Sequence, residues 1–304
     1  MGDFDPPYQL IFDALQRGRV IPFLGAGASI VGRTSGGPGW DPRSSTYLPT
    51  GSELAAHLAS QSSFPAGEQV DLAKVAQYYE VVAAGRRRLN DELSGLLSRD
   101  FAPGPLHRYL ASIKAPMLVV TTNYDDLIER AFTGVKPFDL VIHPTDAKNK
   151  DRVLWRAHGS DEFDRVAPNV LEIDLEKTTV IYKMHGSLPI AARTDGHFVI
   201  TEDDYVEFIS RMGRSRAVPA IFAEHFVHAP FLFLGYGLRD WNFRVVLAKL
   251  GDQLANAPGL RSWAIQRSVS ALEHRLWQHR SVEVFELEID SLIAEMKRRE
   301  AAHV

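Results

Sequence analysis

Short apolar runs that end in glycine or small polar residues constrain the fold of this 304-residue chain more than any other feature. Phe231-Leu232-Phe233-Leu234 is unbroken and precedes Gly235, a pattern typical of a central strand buried on both faces. Longer amphipathic segments alternate with such runs, as in a parallel sheet covered by helices. The pattern predicts strands at Val20–Leu24, Met117–Thr121, Thr179–Lys183, Phe231–Gly235, Trp263–Gln266 and Val282–Leu287.

Helices are predicted where apolar residues recur at the spacing of one helix face. They are expected at Ser52–Gln61, Gln69–Ala84, Tyr124–Phe132, Asp203–Arg211, Val218–His228, Trp241–Gln253 and Val269–His279. Ser52 is the expected N-cap of the first of them. Residues 143–177 are polar, and we expect them to be irregular.

Taken together, these segments predict an α/β fold: a Rossmann-like parallel sheet with helices on both faces. Residues 51–113 carry helical patterns and little strand signal, so we interpret them as a helical insertion between two strands. One domain over residues 1–304 accommodates both the sheet and the insertion.

Composition excludes several classes of protein. The absence of cysteine rules out disulfides, thiolate zinc sites and a cysteine nucleophile. A net charge of −4 argues against a surface that coats nucleic acid, so we expect no direct nucleic-acid binding, and the clusters Arg86–Arg88 and Lys297–Arg299 are interpreted as solvated helix ends. No apolar run approaches the roughly 18–20 residues of a membrane helix. We expect a cytoplasmic protein without membrane contact.

The first segment that can carry chemistry is Gly25-Ala26-Gly27-Ala28-Ser29, directly after the first predicted strand. Small residues there let the backbone approach a phosphate closely and direct N–H groups at it. A tight turn without a ligand is the competing interpretation. The segment lacks the third glycine of the dehydrogenase fingerprint, and no Gly-Lys-Ser/Thr follows as in a P-loop.

The second segment, Thr121-Thr122-Asn123-Tyr124-Asp125, also follows a predicted strand. Ligands of open α/β sheets bind at the carboxyl ends of strands, where Asn123 and Asp125 would project. Either side chain could instead cap the helix expected from Tyr124.

The third segment, Lys183-Met184-His185-Gly186-Ser187, contains a histidine, the side chain best suited to accept a proton near neutral pH. His158-Gly159-Ser160 repeats the same tripeptide, but only His185 follows a convincing strand. We therefore prefer His185. His225 and His228 share a helix face without an apparent third ligand, so no metal site is predicted.

A fourth segment, Gly235-Tyr236-Gly237, again follows a strand. The order of the four segments resembles the sirtuin-like superfamily, and most closely its bacterial branch found in antiphage defence. The stretch from Phe198 to Tyr205 also resembles that branch. The resemblance spans about residues 19–250.

The resemblance implies a role for each matching residue. Asn123 would hold the nicotinamide ribose and an attacking water, Asp125 would bind the nicotinamide carboxamide, and His185 would act as general base. The residues implied in binding the rest of NAD are Gly25, Ala26, Gly27, Ser29, Thr121, Gly235, Tyr236 and Gly237.

The same resemblance implies an NAD hydrolase that releases nicotinamide and ADP-ribose, acting without a metal as the effector of an antiphage system. Sirtuin deacylases carry a four-cysteine zinc module and a Gly-Ile-Pro-Asp-Phe-Arg-like loop, and this chain has neither, so water is the expected acceptor. A protein deacylase and a non-catalytic module that binds NAD or ADP-ribose are the alternatives. Because uncontrolled NAD cleavage would be toxic, we expect control by homo-oligomerisation or by a partner subunit, such as an ATPase or a nucleic-acid-guided protein.

Overall fold

A nine-stranded sheet forms the centre of the computed structural model, which describes residues 5–33, 39–83, 85–143, 152–188, 198–212, 218–236 and 261–302. The strands are β1 (Ile21–Leu24), β2 (Leu118–Thr121), β3 (Asp139–Ile142), β4 (Val153–Arg156), β5 (Asp164–Val166), β6 (Val180–Lys183), β7 (Phe231–Leu234), β8 (Ser262–Gln266) and β9 (Val282–Glu286). Their order is β5-β4-β3-β6-β2-β1-β7-β8-β9, and only the β3–β4 and β4–β5 pairs are antiparallel. All six predicted strands are confirmed.

Helices cover both faces of this sheet. They are α1 (Tyr8–Gln16), α2 (Gly51–Ser62), α3 (Leu72–Val82), α4 (Arg86–Leu97), α5 (Pro105–Ser112), α6 (Leu127–Phe132), α7 (Glu202–Met212), α8 (Ala220–His228), α9 (Ala271–Gln278) and α10 (Ile289–Ala302). The predicted α/β, Rossmann-like class with helices on both faces is confirmed. The predicted helix Trp241–Gln253 lies outside the described residues.

The sheet's two faces carry separate hydrophobic cores. One core joins the sheet to α7, α8 and α9 through Phe208, Phe222 and Trp277, and the other joins it to α1, α5, α6 and α10. The central strands β1, β2, β6 and β7 are buried along their whole length, which their unbroken apolar sequences require. Parallel strands buried on both faces fix which strand ends lie side by side.

Helices α2, α3 and α4 share a third core, with side chains that include Leu58, Val75 and Leu93, and Leu127 of α6 and Phe198 also belong to it. The later part of the region predicted as an insertion behaves differently, because α5 packs in the core of the sheet. The expected cap Ser52 is wrong: Thr50 is the N-cap of α2, and with Glu53 it forms a reciprocal capping box. A cavity of about 310 Å³ lies between α2, α3 and α4.

The expectation that residues 143–177 are irregular is wrong in part, because β4 and β5 lie there. These two strands extend the sheet beyond β3 as an antiparallel edge, with Val141 opposite Trp155. Buried Asp139 accepts hydrogen bonds from the Trp155 indole (2.9 Å) and the His158 backbone N–H (2.8 Å). Only Val153 is buried in these two strands, and the charged residues Arg156, Asp164 and Arg165 interrupt the apolar signal, so the segment does not resemble the buried strands of the centre.

Candidate functional site

The carboxyl ends of β1, β2, β6 and β7 meet at one edge of the sheet. Leu24 is in register with both Thr121 and Leu234, and Thr121 is in register with Lys183. The chain passes from β1 to β2 on one side and later returns to β7 on the other side, so strand order reverses at β1. Open α/β sheets bind ligands at such a reversal. The four predicted segments therefore converge on one location.

Glycines allow the loops after β1 and β7 to pack against each other. A Cβ added to Gly25 would lie 2.7 Å from the Gly235 carbonyl oxygen, and one added to Gly27 would lie 2.8 Å from the Gly235 Cα. Gly235 itself has φ +78°, and a Cβ there would lie 2.1 Å from the Ala28 nitrogen. Real Cβ atoms do not approach backbone atoms so closely, so these three glycines are required by loop packing.

At least three N–H groups of the first loop donate within the protein, and that of Ala28 donates to the Gly25 carbonyl (2.9 Å). The Gly25 N–H donates to the Leu234 carbonyl (2.9 Å), and the Gly27 N–H donates to the Gly235 carbonyl (2.8 Å). Ala26 is the exposed residue of the loop. The first loop thus offers a ligand a close-packed surface of small residues around Ala26, with Gly25 and Gly27 fixing its shape.

Asn123 is held in place by the ends of β1 and β2. The buried Thr121 hydroxyl donates to the Leu24 carbonyl (3.0 Å) and accepts from the Asn123 N–H (3.0 Å). The Asn123 side-chain nitrogen donates to the Gly25 carbonyl (3.0 Å) and to the Ser29 hydroxyl (2.9 Å). Thr121 therefore positions Asn123. Within the described part of the chain, the Asn123 amide oxygen makes no hydrogen bond and is the atom left for a ligand.

A short polar chain links the first two segments. Asn123 donates to the Ser29 hydroxyl, and that hydroxyl donates to one Asp125 carboxylate oxygen at 2.8 Å. The other Asp125 oxygen accepts from the Leu127 N–H (3.0 Å) at the start of α6. Both interpretations of Asp125 thus find support: it caps the helix, and it lies beside the candidate site.

Tyr236 ties three strand ends together. Its hydroxyl donates to the Leu24 carbonyl (2.9 Å) and lies 2.9 Å from the Thr122 hydroxyl, while its ring packs 5.4 Å from that of Phe23. The side chain is 8% exposed. These contacts give Tyr236 a framework role at the site. Gly237, the last predicted residue of this segment, lies outside the described residues.

A buried ion pair, which was not predicted from the sequence, supports the backbone of the second segment. The fully buried Lys183 ammonium group lies 2.8 Å from a Glu129 carboxylate oxygen and donates to the backbone carbonyls of Tyr124 and Asp125. Burial raises the pKa of Glu129, and Lys183 opposes that shift. The pair fixes the backbone on which Asn123 and Asp125 are carried.

His185 lies in an aromatic enclosure at the end of β6. Its ring makes edge contacts with Phe208 (4.8 Å between centroids) and Tyr205 (5.6 Å), both from α7. Its carbonyl accepts from the Val199 N–H at 3.0 Å, which brings the segment before α7 against the loop. Tyr124 completes the enclosure, because its hydroxyl donates to the Val199 carbonyl.

The His185 imidazole is buried and has one nitrogen without a partner. Burial, aided by the nearby His143, lowers the pKa of His185 to about 3. Its Nε2 atom is buried and makes no hydrogen bond with any residue that the structure describes. The low pKa keeps the imidazole neutral, and its unpartnered Nε2 is a buried polar atom that can still gain a hydrogen bond.

The repeated tripeptide at His158 lies elsewhere. His158 is exposed in the turn between β4 and β5, on the antiparallel edge of the sheet. The expectation that no strand precedes His158 is wrong, because β4 (Val153–Arg156) ends two residues before it. β4 belongs to the antiparallel edge, whereas His185 follows β6 beside β2, and the choice of His185 stays a prediction.

Arg86 also contributes to the site, although sequence analysis interpreted its cluster as solvated. Its guanidinium lies 2.7 Å from an Asp204 carboxylate oxygen and donates to the Phe198 carbonyl. Asp204 in turn accepts from the N–H groups of Ile200 and Thr201 at the start of α7. The interpretation was wrong for Arg86, whereas its neighbour Arg87 is 96% exposed. Arg86 and Arg87 differ in their contacts with residues distant in sequence, which the local sequence does not reveal.

In the described ranges, no three histidine or acidic side chains lie close enough together to hold a metal ion. None of the helices in those ranges is long and apolar enough to cross a membrane.

Three bacterial proteins are similar to this chain. The NAD(+) hydrolase ThsA of Acinetobacter baumannii (strain 532279) is 30% identical over 201 residues, which cover 65% of this chain and 35% of that protein. The NAD(+) hydrolase ThsA of Cytobacillus dafuensis is 25% identical over 197 residues, covering 65% of this chain and 34% of that protein. Defense-associated sirtuin 2 of Bacillus subtilis is 24% identical over 241 residues, covering 78% and 20%. The chain thus matches about a third or less of each relative's length.

Residues 117–285 match the SIR2-like domain family. The matched range starts at β2 and ends in β9, so it contains Asn123, Asp125 and His185, while the Gly25–Ser29 loop precedes it. Because the match covers more than half of the 304 residues, the protein belongs to the SIR2-like family, in the bacterial branch that includes these NAD(+) hydrolases and the defence-associated sirtuin.

Proposed function

We propose that this protein binds NAD at the shared strand ends and hydrolyses its nicotinamide–ribose bond to nicotinamide and ADP-ribose. The observation that carries the proposal is that Asn123 and His185 follow the ends of two adjacent parallel strands. They stand two residues beyond Thr121 and Lys183, which are in register on adjacent strands. The proposal is also supported by the similar bacterial proteins, two of which are NAD(+) hydrolases.

The proposed reaction suits so small a set of groups. An ordinary glycosidase needs a general acid because its leaving oxygen must be protonated. Nicotinamide departs from a cationic pyridinium as a neutral molecule, so the breaking C–N bond needs no proton. The protein then has to stabilise a ribosyl cation and place a water on its anomeric carbon.

We assign these two tasks to Asn123 and His185. The Asn123 amide oxygen accepts a hydrogen bond from the water or from a ribose hydroxyl and fixes its position. The new C–O bond forms as the C–N bond breaks, and the proton lost by water passes to His185 and then to solvent. A protonated imidazole would repel the cationic nicotinamide ring, so the low pKa of His185 favours binding of that end of NAD.

The assignments for the remaining residues follow the same proposal. Asp125 accepts from the nicotinamide carboxamide, and the small residues around Ala26 and Ser29 lie against the diphosphate. Gly25, Gly27, Gly235, Thr121 and Tyr236 shape the site through the packing and hydrogen bonds described above.

Regulation forms part of the proposal. We propose that a second copy of the chain or a partner subunit, such as an ATPase or a nucleic-acid-guided protein, switches on the activity during antiphage defence. The exposed apolar side chains of Val81 on α3 and Val206 on α7 (72% and 65% exposed) support an association surface beside the site. Helices α3 and α7 contact each other.

The test is to incubate the purified protein with NAD, alone and with the product of the neighbouring gene, and to separate the products by chromatography. Nicotinamide and ADP-ribose should form, and Asn123→Ala and His185→Ala should abolish both. Arg87→Gln, at an exposed position, is the matched control. Release that requires an acylated peptide would indicate a deacylase. NAD binding without turnover under every condition would leave a binding module.

A further inference from the structure

A second buried histidine, His143, lies next to the candidate site. It directly follows β3, and its N–H donates to the Lys183 carbonyl at 2.9 Å. Ile142 is in register with Lys183, so His143 and His185 leave two adjacent strands within a residue or two of the same level. None of the four segments that can carry chemistry contains His143, and the chemistry proposed above does not use it.

The two imidazoles share an apolar environment built around Phe208. The ring centroid of Phe208 lies 4.8 Å from that of His185 and 5.6 Å from that of His143, with edge contacts to both. His143 is 1% exposed. One aromatic ring therefore holds both histidines in the same part of the core.

Three imidazole nitrogens in this environment lack partners. Both Nδ1 and Nε2 of His143 and the Nε2 of His185 are buried and make no hydrogen bond to any residue in the described ranges. Each such atom costs about 1–3 kcal/mol. A leucine or phenylalanine would fill the space at His143 without that cost, so packing alone does not account for an imidazole there.

Electrostatics agree with the proximity of the two rings. Burial lowers the pKa of His143 to about 3, with a smaller contribution from Arg211 of α7. His143 in turn contributes to the low pKa of His185. Two uncharged imidazoles have one donor and one acceptor each, so they are complementary to one another.

We propose that His143 is a positioning residue for His185: it accepts the Nε2–H of His185 in the NAD complex and so fixes the tautomer whose Nδ1 lone pair faces the substrate. The inference rests on the proposed role of His185 as proton acceptor. Hydrogen bonds of catalytic groups commonly tighten only when the substrate is bound. Ring orientation set by a neighbouring acceptor is a recurrent way to ready a histidine for proton transfer.

The test combines a tautomer measurement with kinetics. Side-chain ¹⁵N shifts of histidine-labelled protein, with and without ADP-ribose, should show His185 in the Nε2–H form, its signals being assigned by their loss in His185→Gln. His143→Phe removes the acceptor at similar volume, and it should mix the tautomers and lower kcat about tenfold with KM changed less than threefold. His143→Gln, which keeps an acceptor, should recover most of kcat. His158→Phe is the exposed control.

The tautomer measurement can fail separately from the proposed function. A wild-type His185 with mixed tautomers in the presence of ADP-ribose would overturn the inference even if the phenylalanine variant failed to fold. An unchanged tautomer and unchanged kcat in a folded His143→Phe protein would overturn it as well. If the protein never cleaves NAD, the proposed function fails while the ¹⁵N shifts still report on the histidine pair.

Discussion

The same tripeptide, His-Gly-Ser, occurs twice in this protein and lies in two different environments. At residues 185–187 it follows the buried parallel strand β6, and at residues 158–160 it forms an exposed turn between antiparallel strands. Both glycines adopt a left-handed backbone, with φ of 84° and 80°. Local sequence and local conformation are therefore shared, and position in the sheet makes the difference.

That position changes the chemistry of the histidine. His185 is 4% exposed, is enclosed by aromatic rings and has a lowered pKa, whereas His158 is exposed and is held only through its backbone by Asp139. Parallel strands bring their carboxyl ends together, so a residue after β6 meets residues after β2. A residue in an edge turn has no such neighbours. The comparison teaches that the carboxyl end of a central parallel strand, and not the tripeptide, distinguishes the candidate site.

The largest expected effect tests this difference directly. We expect His185→Gln to lower nicotinamide release at least a hundredfold, since a positioned general base contributes about 10²–10⁴ to a rate. His158→Gln should change it less than twofold. Both rates are measured with the same activating conditions and corrected for folded protein by circular dichroism. Equal losses in the two variants would show that the comparison is wrong.

Much of the site could be predicted because strand-end loops are local in sequence. Gly25–Ser29, Asn123 and His185 each follow an apolar run, and parallel pairing then brings them together. The supporting contacts could not be predicted in this way, since Lys183 and Glu129 are separated by 54 residues. A lysine within an apolar strand was the available signal, because an unpaired buried ammonium is costly.

The strands at the edge of the sheet were not predicted from the sequence. β3 is a short apolar segment, but β4 and β5 carry charged residues such as Arg156 and Asp164, which suggested a loop. Antiparallel pairing with β3 stabilises these strands, and no local property of the segment reports it. The N-cap of α2 failed for a different reason: both Thr50 and Ser52 are good caps, and only Thr50 forms the reciprocal bonds with Glu53.

A second prediction concerns the support that only the His185 segment receives. Arg86→Gln removes the ion pair to Asp204 and the bond to the Phe198 carbonyl, and it should lower the free energy of unfolding by about 2 kcal/mol. Because Phe198 bridges to Gly186, nicotinamide release should fall several-fold. Urea titration and product chromatography measure the two effects.

Arg87→Gln is the matched control, since Arg87 lies one residue along the same helix and is 96% exposed. It should change stability by less than about 0.5 kcal/mol. If the two variants behaved alike, the enclosure around His185 would not depend on the insertion.

A third prediction uses acid to separate buried from exposed histidines. Burial lowers the pKa values of His185 and His143 from the ordinary value of 6.5 to about 3 in the folded protein. As the pH falls below 6.5, the unfolded chain binds protons that the folded chain cannot, so the stability present above that pH is lost. Each histidine should add a slope approaching about 1.4 kcal/mol per pH unit.

Urea titrations between pH 7 and pH 5 check this slope. His143→Phe should make the dependence shallower by the contribution of one histidine. An identical slope in the wild type and in His143→Phe would mean that His143 is not buried as described.

The smallest expected effect lies at the two glycines. Gly159→Ala places a side chain where no atom lies within 4 Å, so the left-handed backbone alone costs about 1 kcal/mol and nicotinamide release stays unchanged. Gly186→Ala carries the same backbone cost, but it also displaces His185 and the bridge to Phe198, so release should fall. Gly67→Ala, at another open left-handed position, controls for the backbone term. Thermal unfolding measures the loss of stability, and product chromatography measures nicotinamide release. If Gly159→Ala lost as much release as Gly186→Ala, the exposed turn would also contribute to the reaction.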